Sequence, residues 1–346
     1  MFLNNACQLP GTPGPAALAS RGGPSMGHTT DMLRVMVAAR NVEAVDICSF
    51  ELVDAGGGAL PPFSAGSHVD VLIRDGLTRQ YSLCNDPAES HRYRIAVLRD
   101  AQSRGGSKAL HDGVRVGDSL TISLPKNHFA LAHDAQRHLL LAGGIGITPV
   151  LCMAERLARI GAEFELHYAT RSRERTSFIQ HLAASSFAGR VHHYFGDSES
   201  RLVLTDLLAA PVGNTHLYVC GPKGFMDAVL TTARSAGWPE AALHHEFFGA
   251  ALASSADDAG FQVKLASSGQ VVWVPKEISV VAALAQVGVE IPTSCEQGVC
   301  GTCLTRVLAG EPDHKDLYLS PAEQAANDQF LPCCSRSRSE MLVLDL

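Results

Sequence analysis

Four cysteines near the C-terminal end carry the clearest chemistry in this chain. The stretch reads Cys295-Glu-Gln-Gly-Val-Cys300-Gly-Thr-Cys303, and Cys333 follows about thirty residues later. Four intervening residues, then two, then a distant fourth cysteine is the spacing of a plant-type [2Fe–2S] cluster. Such a loop must aim three thiolates at one small cluster while backbone N–H groups soften the charge on its sulfurs. Gly298 and Gly301 suit that task, because glycine reaches φ > 0 without a Cβ penalty. A structural zinc site would use two short C-x₂₋₄-C pairs; here one such pair exists, and Cys333 stands beside Cys334 instead of in a second. Disulfides are the remaining alternative, but nothing in the first residues reads as a secretory signal. Cys7, Cys48, Cys84, Cys152, Cys220 and Cys334 read as ordinary thiols, which suits a reducing, cytoplasmic setting.

Two further patterns could bind anions. Gly143-Gly144-Ile145-Gly146-Ile147-Thr148-Pro149 follows the apolar run Leu139–Ala142 and precedes a helical pattern. Glycines there let backbone N–H groups approach a pyrophosphate at the positive end of a helix. The sequence differs from G-x-G-x-x-G, so tight packing of a turn is the competing reading. Tyr218-Val-Cys220-Gly221-Pro222 offers a second strand end with a sharp turn. Both loops fall where ligands bind in open α/β sheets, and together they point to a nucleotide. Nearer the N-terminus, Arg79-Gln80-Tyr81-Ser82 supplies a phosphate fork, a flat ring and a small hydroxyl. Arg104-Gly105-Gly106-Ser107 opens a short helix with charge and backbone donors. Either tetrapeptide alone reads as ordinary surface; the two in one small region point to a phosphorylated cofactor.

The elements that must position these groups change in texture along the chain. Residues Met1 to about Gly27 are rich in Gly, Pro, Ala and Ser without periodicity and read as a tail, with Met26 and Met32 as alternative starts. Short alternating segments then predict an antiparallel barrel: Leu33–Ala38, Ile47–Leu52, His68–Ile73, Tyr93–Leu98 and Ser119–Leu124. From His138, strand-like and helical stretches alternate, predicting a parallel sheet flanked by helices. The helices are expected at Pro149–Ile160, Ser177–Ala184, Leu202–Leu208 and Lys223–Ala236. A small, polar linker precedes a hairpin (Phe261–Leu265 and Val271–Val274), a helix capped by Ser279 and running to about Val287, and a last strand, Met341–Leu344. The resulting divisions are 1–28, 29–132, 133–249, 250–259 and 260–346. A hydrophobic share of 46% is ample for these cores. No apolar run approaches a membrane span, and a net charge of -7 argues against nucleic-acid binding. Histidine pairs at 192–193 and 244–245 are discounted as metal sites, because strand neighbours point to opposite faces.

With these motifs in order, the chain resembles the phthalate dioxygenase reductases, including vanillate O-demethylase reductases, within the ferredoxin–NADP⁺ reductase superfamily. The likeness runs from about Asp31 to Leu346. It includes Arg79-Gln-Tyr81-Ser82-Leu83, Pro125-Lys-Asn127-His128-Phe129, Cys333-Cys-Ser-Arg336 and Leu342-Val-Leu-Asp345. The resemblance implies an FMN-binding barrel, a doubly wound nucleotide domain and a C-terminal β-grasp ferredoxin. It assigns Arg79, Arg104, Gly105, Gly106 and Ser107 to the FMN phosphate, Gln80 and Tyr81 to the flavin's side, and Ser82 to its N5 edge. Ala96, Val97 and Leu98 would line the ring; some members carry lysine where Leu98 stands, so the phosphate contacts are expected to be redistributed. Phe248, in Glu246-Phe-Phe248, would lie against the flavin. Gly143, Gly144, Gly146 and Thr148 would take the dinucleotide, with Cys220, Gly221 and Pro222 beside the nicotinamide. Asp197 could accept from ribose hydroxyls, favouring NADH, whereas Arg171, Arg173 and Arg175 leave NADPH open.

Three such cofactors reconcile a hydride, which carries two electrons, with a cluster that takes one. The implied acceptor is a Rieske-type oxygenase component acting on an aromatic acid, met at the cluster loop with Glu296 and Gln297 on its rim. The chain is expected as a monomeric, cytoplasmic oxidoreductase. Rival readings are a sensor that binds nucleotide and cluster without turnover, or a reductase for a cytochrome P450 or another acceptor. A flavohaemoglobin-like activity would lack haem ligands here.

Overall fold

Alternation of apolar and polar residues in the first third of the chain resolves into long antiparallel strands. In Met32–Ala44, Val35 and Val37 are fully buried while Met36 points outward, the period-two signature of a half-buried strand. The computed structural model describes residues 32–74, 77–100, 105–198, 201–248, 259–293, 298–299 and 301–346. Hydrogen-bonded neighbours follow the order Leu77–Ser82, Ser67–Arg74, Ser119–Ser123, Met32–Ala44, Ile47–Asp54, Tyr93–Leu98. Bulges in the first strand, between Val37 and Ala39 and between Val42 and Ala44, bend it and raise its twist. A bridge between Leu83 and Ile95 ties the two ends of the path together. Inside lie Phe50, Leu52, Val69, Val71, Tyr93, Ile95 and Ile122.

The middle third forms five parallel strands. Their order is Val191–Phe195, Glu163–Thr170, Arg137–Gly143, Thr215–Gly221, Leu243–Phe247. The stretches Leu139–Ala142 and Leu217–Cys220 of the central strands are continuously apolar because both faces are covered there. Helix Ile147–Arg159 packs on one face, against Leu140, Leu166 and Tyr168. Helix Lys223–Ser235 packs on the other, through Met226, Val229 and Leu230 against Leu139, Leu141 and Leu217. Strands Arg137–Gly143 and Thr215–Gly221 are therefore neighbours whose connections leave in opposite directions, the switch point of a doubly wound sheet. The expected helix over Leu202–Leu208 is only Leu204–Leu207, since Val203 is extended. Strand Leu243–Phe247 escapes the sequence pattern: it lies on a sheet edge and reads Leu-His-His-Glu-Phe, without apolar alternation.

The C-terminal sheet has the β-grasp arrangement. The hairpin appears at Phe261–Leu265 and Val271–Val274, and Met341–Leu344 pairs in parallel with the first of these. Ser279 caps helix Val280–Ala285 by accepting from the Ala282 N–H at 3.1 Å. That helix ends earlier than expected. An unassigned helix, Pro321–Ala326, has a reciprocal capping box between Ser320 and Glu323. Buried Arg336 donates to the carbonyls of Ile278, Ala259 and Pro275 and lies over the Phe261 ring.

Barrel and parallel sheet share one core. Ala65, Cys84, Ala96 and Phe129 belong to the same buried cluster as Val150, Met153 and Leu157. The Tyr218 hydroxyl accepts from the Ala132 N–H at 2.8 Å, and Arg159 pairs with Asp86 across the seam. No helix among the described residues is long and apolar enough to cross a membrane.

Candidate functional site

At the carboxyl edge of the parallel sheet the two glycine loops interlock. A Cβ on Gly146 would run into the Cys220 carbonyl, and one on Gly221 would come 2.9 Å from the Gly143 Cα. Gly143 also leaves no room for a Cβ, which would meet Phe225 at 2.8 Å and Pro222 at 3.0 Å. Close backbone approach, not a turn alone, thus requires these residues, and it brings Gly143, Gly144, Gly146 and Thr148 beside Cys220, Gly221 and Pro222. Thr148 opens helix Ile147–Arg159 and donates its hydroxyl to the Ile145 carbonyl at 3.1 Å. Cys220 is fully buried, and burial, with Glu246 adding to it, pushes its thiol well above the ordinary range. Asp197 is exposed; the turn before it is tied back by the Gly196 N–H on the Thr170 carbonyl at 2.8 Å.

Arg79 to Ser82 lie on one strand, so the pleat divides them. Arg79 and Tyr81 face one way. A Cβ on Gly106 would lie 2.7 Å from the Arg79 side chain, so the arginine packs directly on the start of helix Gly106–Gly113. Gly105 precedes that helix at φ 102, a left-handed angle suited to glycine. The Ser107 hydroxyl accepts from the Asp100 N–H at 3.2 Å. Arg104 lies outside the described residues. Ala96 and Val97 are buried on the strand that the Leu83–Ile95 bridge brings beside Leu77–Ser82, and Leu98 is 38% exposed.

Gln80 and Ser82 face the other way, and Ser82 reaches the parallel sheet. The Ser82 hydroxyl donates to Glu246 Oε2 at 3.3 Å, across 164 residues of sequence. Glu246 pairs with Cys220 in the register of its strand. Burial, only partly offset by the Ser82 hydroxyl, raises its carboxyl to about 7. His68, opposite Ser82 in the barrel hairpin, brings Nδ1 to 3.9 Å from Glu246 Oε1. Phe248, 42% exposed, follows at the strand's end. Neither Glu246 nor His68 announces itself in the sequence: the first lies in a segment marked by its aromatic residues, and the second carries no local motif.

In the C-terminal sheet Cys303 and Cys333 are buried, at 2% and 3% exposure; Cys295 and Cys300 lie outside the described residues, as do Glu296 and Gln297. Gly298 and Gly301 have φ 72 and 73. A Cβ on the first would collide with Cys334 Sγ, and one on the second with the Tyr318 ring. Two buried thiols framed by turns that admit only glycine fit the ligand set of an iron–sulfur cluster.

The histidine pairs do split between faces, and the neighbouring strand supplies partners on each: His167 for His192 and Tyr168 for His193. His192 lies with Glu165 and His167 in a group whose ligand atoms fall within 4.8 Å of one another. Arg137 already occupies that carboxylate at 2.7 Å. His216 and His244 meet at 2.8 Å.

Residues 263–338 match the model of the 2Fe–2S iron-sulfur cluster binding domain. Residues 121–243 match that of the dimethylamine monooxygenase subunit DmmA-like N-terminal domain. The vanillate O-demethylase oxidoreductase of Pseudomonas putida is 54% identical over 91% of this chain and 100% of its own length. A solved phthalate dioxygenase reductase is 39% identical and superposes with a TM-score of 0.76, covering 91% of this chain and 98% of that one. The chain belongs to the phthalate dioxygenase reductase family. Its members' barrel, nucleotide sheet and ferredoxin domain correspond to the three sheets described above, and it is accordingly an oxidoreductase with an iron–sulfur domain. An intact type IV self-sufficient cytochrome P450 monooxygenase also superposes, at 40% identity and TM-score 0.75. It covers 91% of this chain, but only 41% of that protein is matched.

Proposed function

We propose that this chain is the reductase component of a Rieske-type oxygenase system that demethylates or hydroxylates an aromatic acid, taking electrons from NADH by way of FMN and a [2Fe–2S] cluster. The observation that carries the reading is the Ser82–Glu246 contact at 3.3 Å. It turns the barrel's serine and the carboxyl edge of the nucleotide sheet toward one crevice, in a chain whose last domain binds a cluster. When bound, FMN supplies the exchange between paired and single electrons.

The protein's own part is binding and orientation. Arg79, Arg104, Gly105, Gly106 and Ser107 hold the phosphate, where the planar fork and the helix start add their charge. Tyr81 and Phe248 flank the ring plane, Gln80 supports the rim beside Ser82, and Ala96, Val97 and Leu98 present backbone to the ring edge. Gly143, Gly144, Gly146 and Thr148 admit the dinucleotide, and Cys220, Gly221 and Pro222 limit where the nicotinamide can lie. Exposed Asp197 takes the adenosine ribose, which favours NADH; Arg171 beside it is the residue that would favour NADPH. Glu246, half protonated near neutrality, holds the Ser82 hydroxyl and keeps a titratable proton at the seam. Cys295, Cys300, Cys303 and Cys333 bind the cluster. Residues 1–28 stand outside this machinery, with divisions near 132, 249 and 259. The chain works as a monomer in the cytoplasm that meets its oxygenase at the cluster loop.

The likeness to the vanillate enzyme supports a methoxylated aromatic acid as the partner's substrate. The P450 likeness favours a second reading, service to a haem monooxygenase. The test is NADH oxidation coupled to product formation with each purified acceptor. Turnover of a methoxylated benzoate with the Rieske component, absent with the P450, is the expected result. The reverse overturns the proposal, and the absence of catalytic NADH-dependent cytochrome c reduction overturns the enzyme assignment altogether.

A further inference from the structure

Behind the Ser82–Glu246 contact stands a row of polar side chains, of which His68 and Asp70 have no part in the cofactor assignments. His68, Asp70, Gln80 and Ser82 alternate along two paired strands, with His68 opposite Ser82 and Asp70 opposite Gln80. All four therefore share one face of the hairpin. Lys126 donates to Asp70 Oδ2 at 2.7 Å. Gln80 Nε2 donates to Asp70 Oδ1 at 3.0 Å. The amide cannot be turned over, because its oxygen would then face the carboxylate. Its nitrogen is also 3.2 Å from His68 Nε2. A ring nitrogen that accepts an N–H carries no hydrogen, so neutral His68 holds its proton on Nδ1. Nδ1 is the atom turned to Glu246, 3.9 Å away, with both side chains largely buried. A movement of about 1 Å, or one bridging water, closes that gap.

We propose that His68 is a positioning residue: locked as its Nδ1–H tautomer by Gln80, it is the donor that sets the pH at which Glu246 releases its proton. The groups facing Glu246 are Ser82 and His68 from the barrel and Cys220 from the adjacent strand. His68 is faced in turn by Gln80 and by the His128 ring at 5.5 Å, with Asp70 and Lys126 behind the amide. Among the described residues facing Glu246, His68 is the one whose donor is fixed by a partner on its own hairpin, Gln80. The chain Lys126–Asp70–Gln80–His68 thereby links a partly exposed cation to a buried carboxyl at the seam. Loss of a donor to the charged form raises a carboxyl's pKa, so removing the imidazole moves the Glu246 titration upward.

The inference deepens the flavin reading and rests on it only for the second of two readouts. The first is ¹⁵N-histidine NMR of the holoprotein, with His68 assigned through His68→Phe. A hydrogen on Nδ1 and none on Nε2 is expected, with the preference lost in Gln80→Leu. The second is the pH dependence of the flavin midpoint potential. A break near pH 7, matching the Glu246 carboxyl, is expected to move up by about one unit, a tenfold change in proton affinity, in His68→Phe. His68→Asn, which retains one donor, falls between. A merely structural role would weaken flavin binding and leave the break in place. A wild-type hydrogen on Nε2, or an unmoved break in His68→Phe, overturns the proposal. A protein that holds no flavin overturns the function proposed above, while the tautomer still decides this inference.

Discussion

The cysteine-bearing C-terminal sheet and the seam between barrel and nucleotide sheet are built by opposite means. In the first, the reactive groups and the glycines that frame them fall within short stretches of chain, and local backbone angles place them. Gly298 and Gly301 sit at φ 72 and 73, and the buried Cys303 and Cys333 follow from turns next to them. In the second, Ser82 and Glu246 are 164 residues apart, and only the docking of two sheets makes them neighbours. A ligand loop is a property of a segment. A titrating pair at a seam is a property of the packing, so the two should fail differently when altered.

The largest expected effect is on the local site. Cys303→Ser should abolish the cluster, read as loss of iron, sulfide and the visible bands above the flavin's, while the flavin and its reduction by NADH persist. If the flavin leaves too, the sites are not separable and the comparison breaks.

Two glycine substitutions sharpen it. Gly301→Ala meets both a left-handed φ and the Tyr318 ring, and Gly146→Ala meets the Cys220 carbonyl. Each should cost about 1–3 kcal/mol, measured by denaturant unfolding. Tyr318→Ala should relieve Gly301→Ala only in part, because about 1–2 kcal/mol of backbone strain remains. Gly146→Ala should raise the KM for NADH at least tenfold and leave the iron content unchanged.

Glu246→Gln probes the seam through pH. Folded Glu246 binds its proton up to about pH 7, against 4.5 for an ordinary glutamate. Its contribution to stability is therefore complete below the ordinary value and is lost as pH rises through about 7. Relative to wild type, the glutamine variant should gain unfolding free energy on going from acid to alkaline pH, by an amount on the order of 1–3 kcal/mol. An equal offset at both ends contradicts the raised carboxyl. The smallest effect belongs to Phe248→Ala: at 42% exposure, stability should shift within about 0.5 kcal/mol, while flavin affinity falls measurably.

The same contrast explains what the sequence revealed. The Gly143–Gly146 turn, the hairpin at Phe261–Leu265 and the Ser279 cap are local signals, and each corresponds to an element of the structure; the cysteine spacing, equally local, falls within the match to the 2Fe–2S domain. The strand Leu243–Phe247 was unreadable because its polar residues find tertiary partners instead of solvent, Glu246 at the seam and His244 on His216, so its burial leaves no alternation. His68 was unreadable for a related reason: its meaning comes from Gln80 across one hairpin and Glu246 across another sheet. The histidine pairs show the limit of reasoning from one strand. His192 and His193 do point apart, yet His167 on the neighbouring strand is what His192 stacks on, with ring centroids 4.7 Å apart.

Electron flow along the proposed order is tested most directly by rapid-freeze EPR of the anaerobic holoprotein mixed with NADH. A reduced [2Fe–2S] signal should grow in wild type as the yellow absorbance bleaches, and in Cys303→Ser the bleaching should occur without that signal. A cluster that stays oxidised while NADH is consumed would contradict the relay.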